Sequence, residues 1–229
     1  MIPTLFLPGL LCDATLWRAQ IDALADLCAP AIADLTLDDS IAAMAERALA
    51  AAPPRFALAA LSMGGYVAFE ILRRAPERVT KLALLATSTS PDEAARTAQR
   101  QDEVASLGLG RFLGVTDRLL PQLIHADLVA GPVGAAVQAM AQRVGSAAFI
   151  RQQTAIAGRP DSRPLLATIH IPTLVLVGDS DRLTPPSEAR TIHEGILDSR
   201  LFVLETCGHL PPLERPDETA HLLREWLTG

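Results

Sequence analysis

The sequence Ala60-Leu61-Ser62-Met63-Gly64-Gly65 places a serine among small residues at the junction of two different patterns. Before it, residues 56–61 form an unbroken apolar run with the length of a strand buried on both faces. After it, residues 66–74 carry apolar side chains at i, i+3 and i+4 spacing and end in two arginines, which indicates a helix. The chain must therefore turn sharply from strand to helix around the serine.

Such a turn strains the backbone of the serine and leaves little room for side chains two residues before and two residues after it. Ala60 and Gly64 meet that requirement, so the pattern is G-x-S-x-G with alanine in place of the first glycine. The tetrapeptide alone could equally be a turn without chemistry. The preceding strand and the following helix favour a nucleophile elbow with Ser62 as the reactive group.

Length, composition and charge exclude several classes of protein. The 229 residues suffice for one α/β domain with a substantial core, and 49% hydrophobic with 20% charged residues is a globular composition. A net charge of -6 argues against nucleic-acid partners. Because no apolar run reaches the length of a membrane span and no signal peptide is evident, we expect a cytoplasmic protein without a membrane partner. Cys12, Cys28 and Cys207 match no metal-site spacing, so we expect reduced thiols and no metal.

Strands and helices alternate along most of the chain. Strands are predicted at residues 4–7, 29–33, 56–61, 81–86, 173–177 and 200–204, and helices at residues 15–27, 41–51, 66–74, 185–193 and 216–227. From about residue 91 to residue 164 the strand signals vanish, and the segment reads as a helical insertion within a single domain spanning residues 1–229. This order predicts a mostly parallel sheet with helices on both faces.

A serine hydroxyl becomes a nucleophile only when a base within hydrogen-bond reach removes its proton. In a parallel sheet that base should follow the carboxyl end of a strand, where ligands bind. Of the five histidines, His209 alone lies in a loop after a core strand and next to a glycine. An isolated Gly-His pair is more often structural, but the elbow favours His209 as the base.

The imidazole in turn needs an acid that fixes its tautomer. Asp179 and Asp181 both follow the strand at residues 173–177, and we assign the first to the turn and the second to the histidine. An acid could instead follow the strand at residues 81–86, but only Thr and Ser occur there until Asp92. The sequence therefore favours Asp181, which gives the order Ser, Asp, His along the chain.

These stretches resemble the α/β-hydrolase fold superfamily, in its serine esterase and lactonase branch. The resemblance rests on the elbow, on an acid loop at residues 178–186 (GDSDRLTPP) and on a histidine loop at residues 207–216 (CGHLPPLERP). It implies that Ser62 is the nucleophile, His209 the general acid and base, and Asp181 its partner. It also implies an oxyanion hole formed by the backbone N–H groups of Met63 and Leu10.

The same resemblance implies a sheet of about six strands with a helical lid formed by residues 91–164. Two features depart from the usual family pattern. The loop that provides the second oxyanion donor usually begins His-Gly and here begins Pro8-Gly9. The two strands that usually precede this loop's own strand are expected to be absent.

By this resemblance the protein would cleave small carboxylic esters through an acyl-enzyme, with no cofactor. Substrate choice would depend on the insertion, whose Phe112, Leu113, Met140 and Phe149 either line an apolar pocket or pack the lid. Enol-lactone hydrolysis, C–C bond hydrolysis and cofactor-free perhydrolysis occur on the same scaffold. A hydrolase-like ligand-binding protein with little turnover is the competing class. The sequence does not distinguish ester substrates from lactone substrates. It also does not distinguish a monomer from a homodimer.

Overall fold

The computed structural model describes residues 1–107 and 112–229 and contains one six-stranded sheet. The strands are β1 (Ile2–Leu7), β2 (Cys28–Ile32), β3 (Phe56–Leu61), β4 (Val79–Leu85), β5 (Thr173–Gly178) and β6 (Ser199–Leu204). They lie in the order β2-β1-β3-β4-β5-β6, and every neighbouring pair is parallel. The predicted parallel sheet of about six strands is therefore confirmed.

Helices cover both faces of the sheet, as predicted. They are α1 (Arg18–Ala23), α2 (Ile41–Ala51), α3 (Met63–Arg74), α4 (Ala94–Leu107), α5 (Leu120–Leu123), α6 (Pro132–Ala157), α7 (Pro186–Gly195), α8 (Pro211–Glu214) and α9 (Pro216–Thr228). Helices α2, α3 and α7 pack on one face, and α1 and α9 pack on the other.

The alternation of side chains along the strands accounts for these two layers. Leu58 and Ala60 of β3 belong to the apolar cluster that contains α2 and α3. Ala59 and Leu61 of the same strand belong to the cluster that contains Trp17 and α9. All six residues of β3 are buried, as expected of a central strand in a parallel sheet.

The helix predicted at residues 15–27 is shorter and less regular in the structure. A 3-10 turn at Ala14–Trp17, which the Asp13 side chain caps, leads into the short helix α1. Ala19 and Ala23, which one continuous helix would place on the same face as Leu16, are both exposed, whereas Trp17 and Leu24 are fully buried. The large apolar side chains therefore follow the sheet surface and not the spacing of one continuous helix.

The segment at residues 91–164 contains α4, α5 and α6, and residues 108–111 within it lie outside the described part of the chain. The glycines at positions 108 and 110, which mark helix breaks in the sequence pattern, are among those four. Helix α6 is kinked at Gly145, whose φ of 77° and ψ of 175° are not helical. Within the described ranges, no helix combines the length and the apolar character needed to cross a membrane.

Candidate active site

Ser62 lies at the junction of β3 and α3, where the predicted sharp turn occurs. Its φ of 53° and ψ of -116° fall outside the regions that non-glycine residues ordinarily occupy. Helix α3 begins at Met63, three residues earlier than the sequence pattern indicates, so the turn contains only the serine itself. Hydrogen bonds hold this conformation: the Ser62 N–H donates to Leu85 O, and Thr87 Oγ1 donates to Ser62 O at 2.8 Å.

The two glycines after Met63 allow the first turn of α3 to approach the sheet closely. A Cβ atom on Gly64 would lie 2.4 Å from the carbonyl oxygen of Leu7, and one on Gly65 would lie 2.2 Å from Thr87 Oγ1. Neither distance is compatible with a side chain. The need for small residues around the serine thus arises from contact with β1 and with the turn that follows β4.

His209 connects the serine to an aspartate. Its Nε2 atom lies 2.8 Å from Ser62 Oγ, and its Nδ1 atom lies 2.8 Å from Asp181 Oδ2. The histidine and aspartate side chains are almost completely buried, with 5% and 0% of their surfaces exposed. The structure therefore brings together the three side chains that the sequence nominates, across 147 residues of chain between Ser62 and His209.

The surroundings of Asp181 favour its ionised form. Burial raises the pKa of this carboxyl, but the nearby His209 ring and hydrogen bonds from Thr184 outweigh burial and hold the pKa below its ordinary value. An ionised carboxylate only accepts hydrogen bonds, so we assign the ring proton to Nδ1. Nε2 is then free to accept the proton of the Ser62 hydroxyl.

Thr184 completes the enclosure of the aspartate. Its backbone N–H donates to Asp181 Oδ1 at 3.0 Å, and its hydroxyl donates to Oδ2 at 2.9 Å. The Leu183 N–H also donates to Oδ1. The acid loop therefore fixes both carboxylate oxygens, and Thr184 is a contributor that the sequence reasoning did not single out.

Asp179, the aspartate assigned to the turn, binds backbone N–H groups of the segment that leads into His209. Its carboxylate accepts the backbone N–H groups of Thr206 at 3.0 Å and Cys207 at 3.2 Å. Burial raises the pKa of this carboxyl, but these two hydrogen bonds, a third from Ser180 and the nearby His125 together outweigh burial and lower it. Gly178 allows the two loops to touch, because a Cβ there would lie 2.2 Å from the carbonyl oxygens of Cys207 and Gly208.

Glu214 is a carboxylate of the histidine loop that the sequence pattern did not single out. It is buried in α8, and it accepts backbone N–H groups from Gly208 and Leu210 at 2.8 Å each, on either side of His209. It also accepts the N–H of His125, which lies between α5 and the 3-10 turn at Ala126–Leu128. Its place in the histidine loop, five residues after His209, is the signal that could have identified it.

The two backbone donors expected to form an oxyanion hole are the N–H groups of Leu10, in the loop after β1, and of Met63, the first residue of α3. Neither N–H has a hydrogen-bond acceptor among the described residues, whereas the N–H of Leu11 donates to Gln152 Oε1 at 3.1 Å. A Cβ on Gly9 would lie 3.4 Å from the Cβ of Ser62, so the loop after β1 passes directly beside the serine. Both donors are thus unpaired near the hydroxyl.

The four residues nominated in the insertion occupy different environments. Met140 is fully buried in the core cluster shared with α9, and Leu113 is 62% exposed. Phe112 and Phe149 are partly buried and form a tilted pair with ring centroids 5.8 Å apart. Their role in substrate binding stays a prediction.

The alternative acid, Asp92, takes part in a different cluster. Its carboxylate accepts hydrogen bonds from Arg100 of α4 and from Arg159, and all three side chains are buried. Asp92 is therefore paired with two guanidinium groups.

The cysteines are buried and unpaired. Burial raises the pKa of the Cys12 thiol to about 12, and burial together with the charge of Glu214 raises that of Cys207. In the described ranges, no group of three or more His, Cys, Asp or Glu side chains could hold a metal ion.

Comparisons with known proteins assign the chain to one family. The chain is 30% identical over 180 residues to a pimeloyl-[acyl-carrier protein] methyl ester esterase of Neisseria meningitidis serogroup C, a match that covers 73% of this chain and 68% of the relative. The corresponding serogroup A protein is also 30% identical, over 55% of its length.

Solved structures give the same result. A thermophilic esterase from Thermogutta terrifontis superimposes with a TM-score of 0.89 at 29% identity, covering 100% of this chain and 90% of that one. The enol-lactonase of Burkholderia xenovorans LB400 shares the fold, with a TM-score of 0.86 at 22% identity and coverage of 100% and 92%. The family model described as alpha/beta hydrolase fold matches residues 29–216. The chain therefore belongs to the alpha/beta hydrolase fold family.

Proposed function

We propose that this protein cleaves small carboxylic esters with Ser62 as nucleophile, His209 as general acid and base, and Asp181 as the partner of His209. The relatives named as esterases support an enzyme that acts on ester bonds. The observation that carries the residue assignment is the unbroken pair of 2.8 Å contacts from Ser62 Oγ through the imidazole to Asp181. Both contacts have the length of strong hydrogen bonds.

Acylation would proceed as follows. As Ser62 Oγ attacks the carbonyl carbon, its proton passes to His209 Nε2, and the imidazolium that forms is stabilised by the Asp181 carboxylate. The carbonyl oxygen becomes an oxyanion, which the N–H groups of Met63 and Leu10 would bind. The C–O bond then breaks, the proton on Nε2 passes to the departing alkoxide, and the acyl group stays on Ser62.

Deacylation would repeat these steps with water. His209 Nε2 removes a proton from a water molecule that attacks the acyl carbon, and the same two N–H groups bind the second oxyanion. Collapse of this intermediate breaks the bond to Ser62 Oγ, which takes the proton back from Nε2. The carboxylic acid leaves, and the enzyme returns to its starting state.

A methyl ester of a medium-length acyl chain is the second substrate class that we propose to test. It is favoured by the similarity to relatives named as pimeloyl-[acyl-carrier protein] methyl ester esterases. The resemblance in fold to an enol-lactonase keeps lactones as a further candidate. A lid function for residues 91–164 belongs to the same proposal, since this segment contains the residues nominated for substrate binding.

The test is hydrolysis of p-nitrophenyl acetate, p-nitrophenyl butyrate and dimethyl pimelate by the wild type and by Ser62→Ala, followed over many turnovers. We expect steady turnover by the wild type and loss of a factor of about 10⁵ or more in the variant, because removing the nucleophile disables the whole relay. A single burst without turnover would indicate a ligand-binding protein. Full activity of Ser62→Ala would indicate another nucleophile.

A further inference from the structure

A buried glutamine of the insertion contacts the loop that contains Leu10. Gln152 lies in α6 and is 0% exposed. Its Oε1 atom accepts the N–H of Leu11 at 3.1 Å, and its Nε2 atom donates to Leu35 O at 3.1 Å. One side chain thus links α6 to the segments that follow β1 and β2.

The loop at residues 8–12, called the oxyanion loop below, needs such support. Leu11 has a φ of 58°, a left-handed conformation that leucine seldom adopts. A residue in that conformation persists only when surrounding contacts hold it. The bond to Gln152 fixes the Leu11 N–H, and the Cys12 N–H donates to Gly9 O at 3.2 Å. Together these two bonds determine where the intervening Leu10 N–H points.

The same helix contacts the chain just beyond this loop at a second place. Arg143 Nε lies 2.7 Å from Asp13 Oδ2, and Arg143 Nη2 donates to Thr15 Oγ1 at 3.0 Å. Half of the Arg143 side chain is exposed, so water competes for this pair. The Gln152 side chain is shielded from water, so loss of its hydrogen bond would leave the buried Leu11 N–H without a partner.

We propose that Gln152 is a positioning residue that orients the Leu10 N–H toward the oxyanion, so that α6 completes the oxyanion hole. This inference rests on the proposed function, in which Leu10 provides one of the two donors. Gln152 acts through the backbone of Leu11. Because negative charge develops on the oxygen only in the transition state, Gln152 stabilises the transition state and not the bound substrate. A change at this residue should therefore lower kcat and leave KM nearly unchanged.

The neighbouring residue offers a matched control. Gln153 is also buried in α6, and it also makes two side-chain hydrogen bonds, from Arg100 at 2.6 Å and to Glu103 at 2.8 Å. Those partners belong to α4 and not to the oxyanion loop. Gln152→Met and Gln153→Met each keep the length of the side chain and remove two hydrogen bonds. The first releases the backbone groups of Leu11 and Leu35, and the second releases the side chains of Arg100 and Glu103.

Steady-state kinetics with p-nitrophenyl acetate should separate the two variants. We expect Gln152→Met to lose about 10- to 100-fold in kcat, less than or comparable to the loss of a complete oxyanion donor. KM should stay within about threefold, and a trifluoromethyl ketone, whose adduct carries an oxyanion, should bind more weakly by a similar factor. Gln153→Met should keep kcat within about twofold of the wild type.

Equal kcat values for the two folded variants would overturn the inference. If Gln152→Met fails to fold, as judged by circular dichroism, Gln152→Glu serves instead, because a carboxylate oxygen can still accept the Leu11 N–H. The inference then requires Gln152→Glu to keep a higher kcat than Gln152→Ala. Ser62→Ala, measured in parallel, separates the two proposals: background activity with equal glutamine variants refutes the role of Gln152 alone, whereas full activity refutes both.

Discussion

At the scale of single residues, the side chain of Asp181 is the most constrained part of the site. Its two oxygens accept hydrogen bonds from Leu183, from both polar groups of Thr184 and from His209. None of its surface is exposed, so water cannot substitute for any of these partners. The carboxylate therefore holds the imidazole in one orientation and one tautomer.

Replacing Asp181 by asparagine tests this role. The amide would keep the shape of the side chain but would present either a neutral oxygen or an NH₂ group to Nδ1, and the second arrangement reverses the tautomer. We expect kcat to fall by about 10⁴ with a small change in KM, as when the equivalent aspartate of a serine protease is replaced. The measurement is p-nitrophenyl acetate hydrolysis at pH 7.

The matched control is Asp198→Asn, an exposed aspartate before β6. Asp198→Asn should leave kcat and KM unchanged within about twofold, since surface substitutions away from the site have small effects. A variant of Asp181 with more than about a tenth of wild-type kcat would contradict the assignment of this residue.

At the scale of elements, the strands were predictable because each is a short apolar run between turn residues. The elbow, the acid loop and the histidine loop were predictable for a related reason: their residues are neighbours in sequence, and each loop follows a predicted strand. The extent of the helix near residue 15 was not, because packing against the sheet, and not local spacing, determines which of Trp17, Ala19 and Leu24 are buried. Burial of a large aromatic side chain outweighs helix periodicity there.

Contacts between distant elements could not be predicted from one sequence. Gln152 meets Leu11 across 141 residues, and Glu214 meets His125 across 89. No spacing rule connects such pairs, and an isolated glutamine or glutamate is usually a surface residue. These contacts attach the insertion to the oxyanion loop and to the histidine loop, so the sequence nominated the three side chains of the proposed relay but not the residues that contact their loops.

The buried Asp92 cluster is an ionic contact that joins the segment after β4 to α4 and to Arg159, two residues beyond the end of α6. Asp92 accepts from Arg100 and from Arg159, whose guanidinium group also lies 4.4 Å from the centre of the Tyr66 ring. We expect Asp92→Asn to lower the free energy of unfolding by about 3 kcal/mol at pH 7, because it leaves buried arginines without their counter-charge. Urea denaturation measures this loss.

The effect of Asp92→Asn should also depend on pH. Burial raises the pKa of Asp92, but the two arginines outweigh burial and hold the pKa below its ordinary value of about 3.9. Stability linked to a lowered pKa is present above the unfolded value and is lost as the pH falls through the folded value. The difference between wild type and variant should therefore shrink below about pH 4.

The pair Arg47–Asp38 is the control, because half of the Arg47 side chain is exposed, and Asp38→Asn should lower the free energy of unfolding by less than Asp92→Asn does. Equal effects of Asp92→Asn and Asp38→Asn would show that the buried cluster contributes no more than a surface ion pair.

At the scale of the whole molecule, backbone strain is concentrated at one edge of the sheet. The non-glycine residues with positive φ in the described part of the chain are Leu11, Ser62, Ala86 and Thr206. They follow β1, β3, β4 and β6 respectively, so all four lie at the carboxyl ends of strands, where the candidate site is located. Each such residue costs on the order of 1 kcal/mol or more, and the two apolar clusters must compensate for that cost.

The strained φ at Ser62 predicts that glycine is more stabilising than alanine at this position, which is the reverse of the order at an ordinary helix position. At an ordinary helix position alanine is more stabilising than glycine by about 1 kcal/mol, and we expect that order for Ser187→Ala and Ser187→Gly in the exposed first turn of α7. At Ser62, alanine keeps the strained φ of 53°, whereas glycine tolerates it. Both Ser62 variants lack the hydroxyl that contacts His209, so they differ in backbone strain, in the entropy of the unfolded chain and in one methyl group.

We therefore expect Ser62→Gly to be more stable than Ser62→Ala by about 1 kcal/mol, the strain relieved minus the entropy that glycine gains in the unfolded chain. For a chain of this length, that difference corresponds to about 2–4 °C in Tm. Thermal denaturation of the four serine variants measures both orders side by side. If Ser62→Ala proved as stable as Ser62→Gly while the Ser187 pair showed the ordinary order, the elbow would store no strain, and the other contacts of the site would have to account for the conformation of the serine.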